Sequence, residues 1–99
     1  MNIHQLALPF ITNYKPTKDN YEEYFKQHED IFTYYFEPHC RNKKKKLEHA
    51  IKRHPEILLK MNDICEAMPQ MIESIAAAYE ARYPVKFTKD LYIIVGLNG

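Results

Sequence analysis

Glycine is nearly absent from this sequence: among its 99 residues, the only glycines are Gly96 and Gly99. A phosphate-binding loop needs several glycines close together so that its backbone can approach the phosphate oxygens, and residues 1–95 offer none. Flexible linkers between domains are also rich in glycine or serine. The lack of glycine therefore predicts one uninterrupted folded region without a nucleotide-binding loop.

Long apolar runs and an excess of one charge are also missing. No stretch reaches the roughly 20 apolar residues that a membrane-spanning helix needs, and residues 1–11 lack the basic start and small-residue cleavage site of a signal peptide. The formal net charge of +1 creates no overall field that would draw the whole molecule to nucleic acid or to a membrane. These features predict a cytoplasmic protein without a transmembrane segment.

Cysteine occurs only at Cys40 and Cys65. One disulfide fits this count, and so do two reduced thiols. Reduced thiols are favoured, because a lysine-rich chain without secretory features belongs to a reducing compartment. Cys65 falls among apolar residues of a predicted helix, where burial raises the pKa of a thiol and makes it unreactive.

Proline divides the chain into segments of helical length. The dividing residues are Pro16, Pro38, Pro55, Pro69 and Pro84. Their spacing predicts a mainly α fold: a three- or four-helix domain with a C-terminal β-strand and, as an option, a second short N-terminal strand. Within this domain of residues 1–99, we expect residues 1–16 to be extended, residues 17–84 to be helical, and residues 85–99 to carry a strand that leads out of the domain.

The clearest helix is predicted over residues 17–37. Thr17 or Asp19 can cap its N-terminus, because a side-chain oxygen there accepts a free backbone N–H. Large residues then recur every three or four positions, which places them on one helical face. They are Tyr21, Tyr24, Phe25, His28, Phe32, Tyr35 and Phe36. A face of this kind is usually core, and the alternative is a groove for a partner helix or peptide.

Three further helical segments are predicted. Residues 39–54 have a narrow apolar stripe, residues 56–68 have an apolar face that we expect to be buried, and residues 70–83 continue that face. Because Met68 and Met71 stay nearly in phase, Pro69 either separates two helices or kinks one.

The sequence changes character after Pro84. The run Leu91–Val95 consists of five apolar residues and predicts a strand buried on both faces. Such a strand needs hydrogen-bonding neighbours, and the only other candidate is the run Leu6–Thr12. Either the two runs pair, or the sequence stops where a larger sheet begins, and the second interpretation is favoured.

One cluster has the chemistry of a metal or thiol site, and it supports an enzyme-class hypothesis. Its members are His39, Cys40, His49 and His54. His49 and His54 are separated by about 140° around a helix, and the neighbouring side chains of His39 and Cys40 diverge. We therefore predict no catalytic, metal-binding or cofactor-binding residue in this chain, and solvent-facing histidines instead.

A basic run between residues 41 and 53 is the strongest candidate contact for a partner. Its cations are Arg41, Lys43, Lys44, Lys45, Lys46, Lys52 and Arg53. Three interpretations remain open. The run is a surface neutralised by the acidic residues of the 17–37 segment, which is the favoured one, or a contact for nucleic acid or another polyanion, or a contact for an anionic membrane surface.

Residues 86–99, in which Leu91–Val95 is followed by Gly96, resemble a passage in a group of predicted zinc-dependent peptidases. In that family a helical N-terminal region leads into such a strand, and the catalytic helix with His-Glu-x-x-His lies well downstream. Here His28 and Glu29 are followed by Phe32 in place of the second histidine, so no catalytic residue carries over. The resemblance implies that this chain is the non-catalytic front of such an enzyme and that zinc belongs to the remainder of the protein.

Two functions from different classes follow. In the first, the chain is the helical N-terminal portion of a larger zinc-dependent peptidase or hydrolase and packs against its catalytic part. In the second, it is a stand-alone helical interaction module that binds a protein or a polyanion through the basic face at residues 41–53. The expected partners are the remainder of its own polypeptide, another protein or a second copy. The first hypothesis also predicts that residues 1–99 alone expose apolar surface.

Overall fold

A computed structural model describes residues 1–39 and 42–97. The elements run along the chain as β1 (Ile3–Gln5), α1 (Ala7–Thr12), α2 (Lys18–Gln27), α3 (Glu29–Tyr34), a π-helical turn (Tyr35–His39), α4 (Lys43–Arg82) and β2 (Leu91–Ile93). The prediction of a mainly α fold, with three or four helices, a C-terminal strand and an optional short N-terminal strand, is confirmed. No helix in the described part of the chain is long and apolar enough to cross a membrane.

The chain folds as two compact units. The first unit combines residues 1–12 with residues 59–95, and the second combines residues 13–58 with Gly96 and Leu97. Helix α4 therefore contributes its first part to the second unit and its remainder to the first.

In the first unit, β1 and β2 pair in parallel, with Ile3–Gln5 aligned residue for residue with Leu91–Ile93. The N–H of Leu91 donates to the carbonyl of Asn2 (2.8 Å), and the N–H of Leu6 donates to the carbonyl of Ile93 (2.9 Å). The strand prediction was wrong in one respect, because Leu91 is 40% and Tyr92 43% exposed. The run is thus not buried on both faces, and it does have a partner strand.

The partner strand is not the one expected. Most of the candidate run Leu6–Thr12 is helix α1, and residues 1–16 are accordingly not extended throughout. The side-chain oxygen of Gln5 accepts the backbone N–H groups of Ala7 (3.1 Å) and Leu8 (3.3 Å). These are free donors of the first helical turn, and capping them favours a helix over a strand at this point.

The predicted division between helices 39–54 and 56–68 was wrong, because α4 runs from Lys43 to Arg82 through Pro55. Of the two interpretations left open at Pro69, the one without a separation holds, since the same helix continues through that residue. A proline inside a helix removes one backbone N–H and leaves the carbonyl four residues earlier without its helical donor. For Pro69 that carbonyl belongs to Cys65, and the side-chain amide of Gln5 donates to it at 2.8 Å. A residue of β1 therefore replaces the donor that Pro69 lacks.

The predicted helix over residues 17–37 is divided in the second unit. Thr17 caps α2 as expected, with its hydroxyl accepting the N–H of Asn20 at 3.3 Å. His28 then leaves the helical conformation (φ −119°, ψ 42°), and α3 begins at Glu29. Because Pro38 has no N–H to continue an α-helical ladder, the segment ends in a wider π-helical turn.

The aromatic face of this segment is mostly core, as predicted. Tyr21, Tyr24, Phe25 and Phe32 are at most 5% exposed. The ring of Phe32 lies 4.7 Å from that of Phe25 and 5.2 Å from that of Tyr24. The periodicity therefore identified the buried residues although it did not show the break between the two helices.

The apolar face predicted over residues 56–83 is not core. Only Cys65 and Ala76 are buried in this part of α4, whereas Ile64 is 61%, Met71 56% and Ile75 63% exposed. Helical periodicity shows that one face is apolar, and it cannot show what covers that face.

We expect Gln5→Ala to lower the free energy of unfolding by about 1–3 kcal/mol, because it removes the donor to Cys65 and the cap of α1 together. In a Pro69→Ala background the loss should be smaller by about 1 kcal/mol, since the introduced alanine supplies its own N–H to the Cys65 carbonyl. Urea unfolding of the four proteins, followed by circular dichroism, gives this coupling. Equal losses in both backgrounds would contradict the proposed exchange of donors.

Candidate interaction surfaces

The predicted partner contacts lie on the first turns of α4, apart from Arg41, which lies outside the described residues. Their described members are Lys43, Lys44, Lys45, Lys46, Lys52 and Arg53, of which Lys43 and Lys46 are half-buried and the rest exposed. The first turn of α4 contains no acidic residue. Four consecutive lysines therefore stand at the positive end of a helix, where cations are destabilising and an anion is favourable.

Lys43 differs from the other cations because it belongs to the fold of the second unit. Its ammonium nitrogen lies 3.5 Å from a carboxylate oxygen of Glu22. It also lies 4.7 Å from the ring centre of Phe36 and 5.4 Å from that of Phe25. Lys43 therefore has an ion-pair partner and two aromatic contacts within the second unit, which distinguishes it from the exposed lysines that follow it.

The remaining cations form what we call the basic stripe: Lys45, Lys46, His49, Lys52 and Arg53. At about 100° per residue these positions fall within about 120° of the helix circumference. Arg53 bonds Glu56 of the same helix at 2.9 Å. In the described part of the chain, no ion pair involves Lys44, Lys45 or Lys52, whereas Lys43 is paired with Glu22 of the acidic 17–37 segment.

A surface groove of about 600 Å³ opens beside Lys43 in the second unit. Phe25, Phe32 and Phe36 form its apolar part, and its rim carries charges of both signs. The rim residues are Glu22, Glu23, Lys26, Glu29 and Lys43, together with the neutral Thr33. The aromatic face is thus mostly buried, and one edge of it is open to solvent at this groove. Binding of a partner helix or peptide in the groove stays a prediction.

A chain of hydrogen bonds lies deeper in the second unit. The hydroxyls of Tyr14 and Tyr21 are 2.7 Å apart, and the Tyr21 hydroxyl is 2.7 Å from Nδ1 of His54. Tyr21 is fully buried and His54 is 7% exposed. Proton donation can run from Tyr14 through Tyr21 to a neutral His54, or in the reverse direction, and each arrangement satisfies both bonds.

The buried environment keeps these groups neutral. Burial lowers the pKa of His54, and the neighbouring charge of His49 lowers it further. Burial likewise raises the pKa of Tyr21, and the hydrogen bond with Tyr14 adds to the effect. A neutral imidazole bonded to a neutral phenol costs far less to bury than a charged pair, so the chain is suited to holding α2 against α4.

The metal or thiol hypothesis gains no support from the geometry. His54 is bonded to Tyr21, His49 is exposed, and Cys40 lies outside the described residues. The side chain of His39 is likewise outside those that the structure describes, and among the described side chains no group of three or more metal ligands comes together. Cys65 is a free, buried thiol, and burial raises the pKa of that thiol as expected.

The first unit exposes a group of apolar side chains between the end of α4 and β2, which we call the C-terminal patch. Its members are Tyr79, Tyr83, Val85, Phe87, Leu91 and Tyr92, which are 40–51% exposed. The ring centres of Tyr79 and Tyr83 are 4.8 Å apart, and that of Phe87 lies 6.1 Å from that of Tyr79. A carboxylate oxygen of Glu80 accepts the N–H of Phe87 at 3.3 Å, which holds this segment against the end of α4.

Two further contacts involve residues near the C-terminus, one in each unit. The ring of His4 stacks on that of Tyr92, its cross-strand neighbour, at 4.6 Å. In the second unit, the Tyr35 hydroxyl accepts the N–H of Leu97 at 2.8 Å. A Cβ atom at Gly96 would lie 2.5 Å from that hydroxyl, so a larger residue at this position would require the Tyr35 ring to shift.

Comparisons with protein families, with curated proteins and with solved structures find no match to this chain. A function for this chain is therefore inferred from its own geometry and from the resemblance of residues 86–99 to predicted zinc-dependent peptidases.

We expect the stability of the second unit to fall below about pH 6.5, the ordinary pKa of histidine. Because the pKa of His54 is lowered in the folded state, the unfolded chain takes up the proton first, and stability is lost as the pH falls from that value toward the folded-state pKa. His54→Asn keeps an acceptor near the Nδ1 position and cannot titrate, so this part of the decline should disappear. Urea unfolding between pH 5 and pH 8 measures the difference.

His49→Asn is the matched control, since it removes an exposed histidine from the same helix. Most of the pH dependence should persist in this variant, because burial of His54 remains. An unchanged pH profile in His54→Asn would show that the buried imidazole does not couple folding to pH.

Proposed function

We propose that this chain is the non-catalytic helical part of a larger zinc-dependent peptidase and that its C-terminal patch packs against a further segment of the same polypeptide. The carrying observation is the patch itself, in which six large apolar residues between the end of α4 and β2 are 40–51% exposed. Apolar side chains gathered in this way are typical of a surface that a partner covers. The resemblance at residues 86–99 supplies the kind of protein to which that partner belongs.

The strand at the edge of the patch supports the same proposal. The N–H of Leu91 and the carbonyl of Ile93 both face β1. Backbone groups alternate along a strand, so those of Tyr92 are directed to the opposite edge. Parallel sheets are usually larger than two strands and covered on both faces, which makes this edge suited to receiving another strand.

The proposal places the protein in the cytoplasm. A free thiol that is buried at Cys65 is in keeping with a reducing compartment. Zinc would be held by the catalytic part of the protein and not by residues of this chain.

The proposal predicts that the reading frame continues past Gly99 and encodes a His-Glu-x-x-His motif. In the longer protein, the amide of Tyr92 should exchange with solvent at least about tenfold more slowly than in residues 1–99 alone, because a new strand accepts its hydrogen bond. Hydrogen exchange read by NMR measures this ratio. The amide of Leu91 is the internal control, since it is bonded to Asn2 in both proteins.

A stop codon directly after Gly99 would contradict the proposal, as would equal exchange of Tyr92 in the two proteins. In the longer protein, Phe87→Ser should weaken the packing of the additional segment against the C-terminal patch. The control is Leu59→Ser, which changes an apolar side chain that is 84% exposed outside the patch and should leave that packing intact.

A second candidate function is favoured by the basic stripe. We infer that a polyanion binds there, because Lys45 and Lys52 are exposed and have no ion-pair partner in the described part of the chain. The positive end of the α4 dipole adds to the attraction. Lys43 is held by Glu22 and two aromatic rings and contributes little to this contact.

Short duplex DNA serves as a polyanion probe for the stripe. Binding should weaken as salt rises, and Lys45→Gln with Lys52→Gln should reduce the slope of log affinity against log salt by about 2. The matched control is Lys86→Gln with Lys89→Gln, which removes the same charge outside the stripe. Binding that responds equally to both pairs of substitutions would reflect net charge alone and would exclude a site at the stripe.

A further inference from the structure

Helix α4 has an exposed apolar face that belongs neither to the C-terminal patch nor to the basic stripe. Ile64, Met71 and Ile75 are 61%, 56% and 63% exposed, which is unusual for aliphatic side chains of this size. A shallow groove of about 400 Å³ lies along this face between Ala67, Gln70, Met71, Ser74 and Ile75. The residues of α4 that are buried in this region, Cys65 and Ala76, each lie one position after an exposed one and hence about 100° away.

The apolar residues of this face, of which Met68 is half-buried and the others are exposed, follow the spacing of a coiled coil. We call the seam the set of positions that alternate by three and four residues, namely Ile64, Met68, Met71, Ile75 and Ala78. Alternation of this kind is what allows two helices to interlock their side chains over several turns. Helices that pack only against their own domain need no such strict alternation.

Charge is kept away from the seam. Between Ile64 and Ala81 the charged residues are Glu66, Glu73 and Glu80. Each follows a seam residue by two positions, which places it about 200° around the helix, on the opposite side. Small residues border the seam at a regular interval of seven, and they are Ala67, Ser74 and Ala81.

We propose that two copies of this chain associate in solution by packing their seams against one another in antiparallel orientation. The seam is complementary to itself when reversed: Met71 lies opposite Ile75 of the second copy, and Met68 lies opposite Ala78 of the second copy. The layers of Met68 and Ala78 combine a large with a small side chain, and the layers of Met71 and Ile75 pair two large apolar side chains. Ser74 lies near the two-fold axis, and its small side chain lets the two helices approach closely.

Charge at the two ends of the seam selects this orientation. Asp63 precedes the seam and Arg82 follows it. An antiparallel pair brings Asp63 of one copy toward Arg82 of the other, whereas a parallel pair would place like charges together. Exposed ion pairs add little affinity, so their effect is on orientation, and the apolar seam supplies the association.

Sedimentation equilibrium of the full chain at about 100 μM should give twice the single-chain mass of 11.9 kDa. Met71→Glu with Ile75→Glu should return the single-chain mass, because burying four carboxylates in the dimer is prohibitively costly. Leu59→Glu introduces one carboxylate per chain at a residue that is 84% exposed about 140° from Ile64, and this control should remain dimeric. Circular dichroism checks that each variant keeps its helix content.

Crosslinking with a short bismaleimide tests the orientation in a Cys40→Ser background, in which the buried Cys65 is the only other thiol. Ser74→Cys should crosslink with itself. Ala67→Cys and Ala81→Cys should not crosslink alone and should do so when the two chains are mixed. A monomeric wild-type chain, or a dimer that survives Met71→Glu with Ile75→Glu, would overturn the dimer proposal, and self-crosslinking of Ala67→Cys would overturn the antiparallel arrangement.

Discussion

One backbone carbonyl constrains much of the first unit. Pro69 leaves the carbonyl of Cys65 without its helical donor, and the side chain of Gln5 supplies a replacement at 2.8 Å. The oxygen of the same side chain caps α1 through Ala7 and Leu8. One residue therefore joins β1, the start of α1 and the middle of α4. Because β1 is held there, it can pair with β2, and β2 in turn positions part of the C-terminal patch.

How much of this fold could be predicted depends on how local its causes are. The aromatic period over residues 17–37 identified a buried face, and Thr17 identified its cap, because both signals are contained in the segment itself. The break at His28 leaves that period intact, so the sequence does not show it. The continuity of α4 through Pro69 depends on Gln5, a residue 64 positions away, and local helix propensity favours the opposite result. The strand Ile3–Gln5 is too short to show an alternating pattern.

The interaction surfaces could be predicted only in part, because the contacts that distinguish their residues are made with distant parts of the chain. The cluster of lysines is visible in the sequence, but only the structure separates Lys43, which is bound to Glu22 and two aromatic rings, from the exposed Lys45 and Lys52. The seam and the C-terminal patch look like core in the sequence, because an apolar period is the same whether its own domain or another molecule covers it. In a small helical protein, buried area is limited, and a long helix readily keeps one apolar face for a partner.

The hydrogen bond between the Gln5 amide and the Cys65 carbonyl is directly observable by NMR. We predict a through-hydrogen-bond scalar coupling between Nε2 of Gln5 and the carbonyl carbon of Cys65 in uniformly labelled protein, together with slow solvent exchange of one Gln5 amide proton. In Pro69→Ala the coupling should weaken as the new backbone N–H at that position competes for the same oxygen. A Gln5 side chain that shows no coupling and exchanges as fast as that of an exposed glutamine would contradict the account.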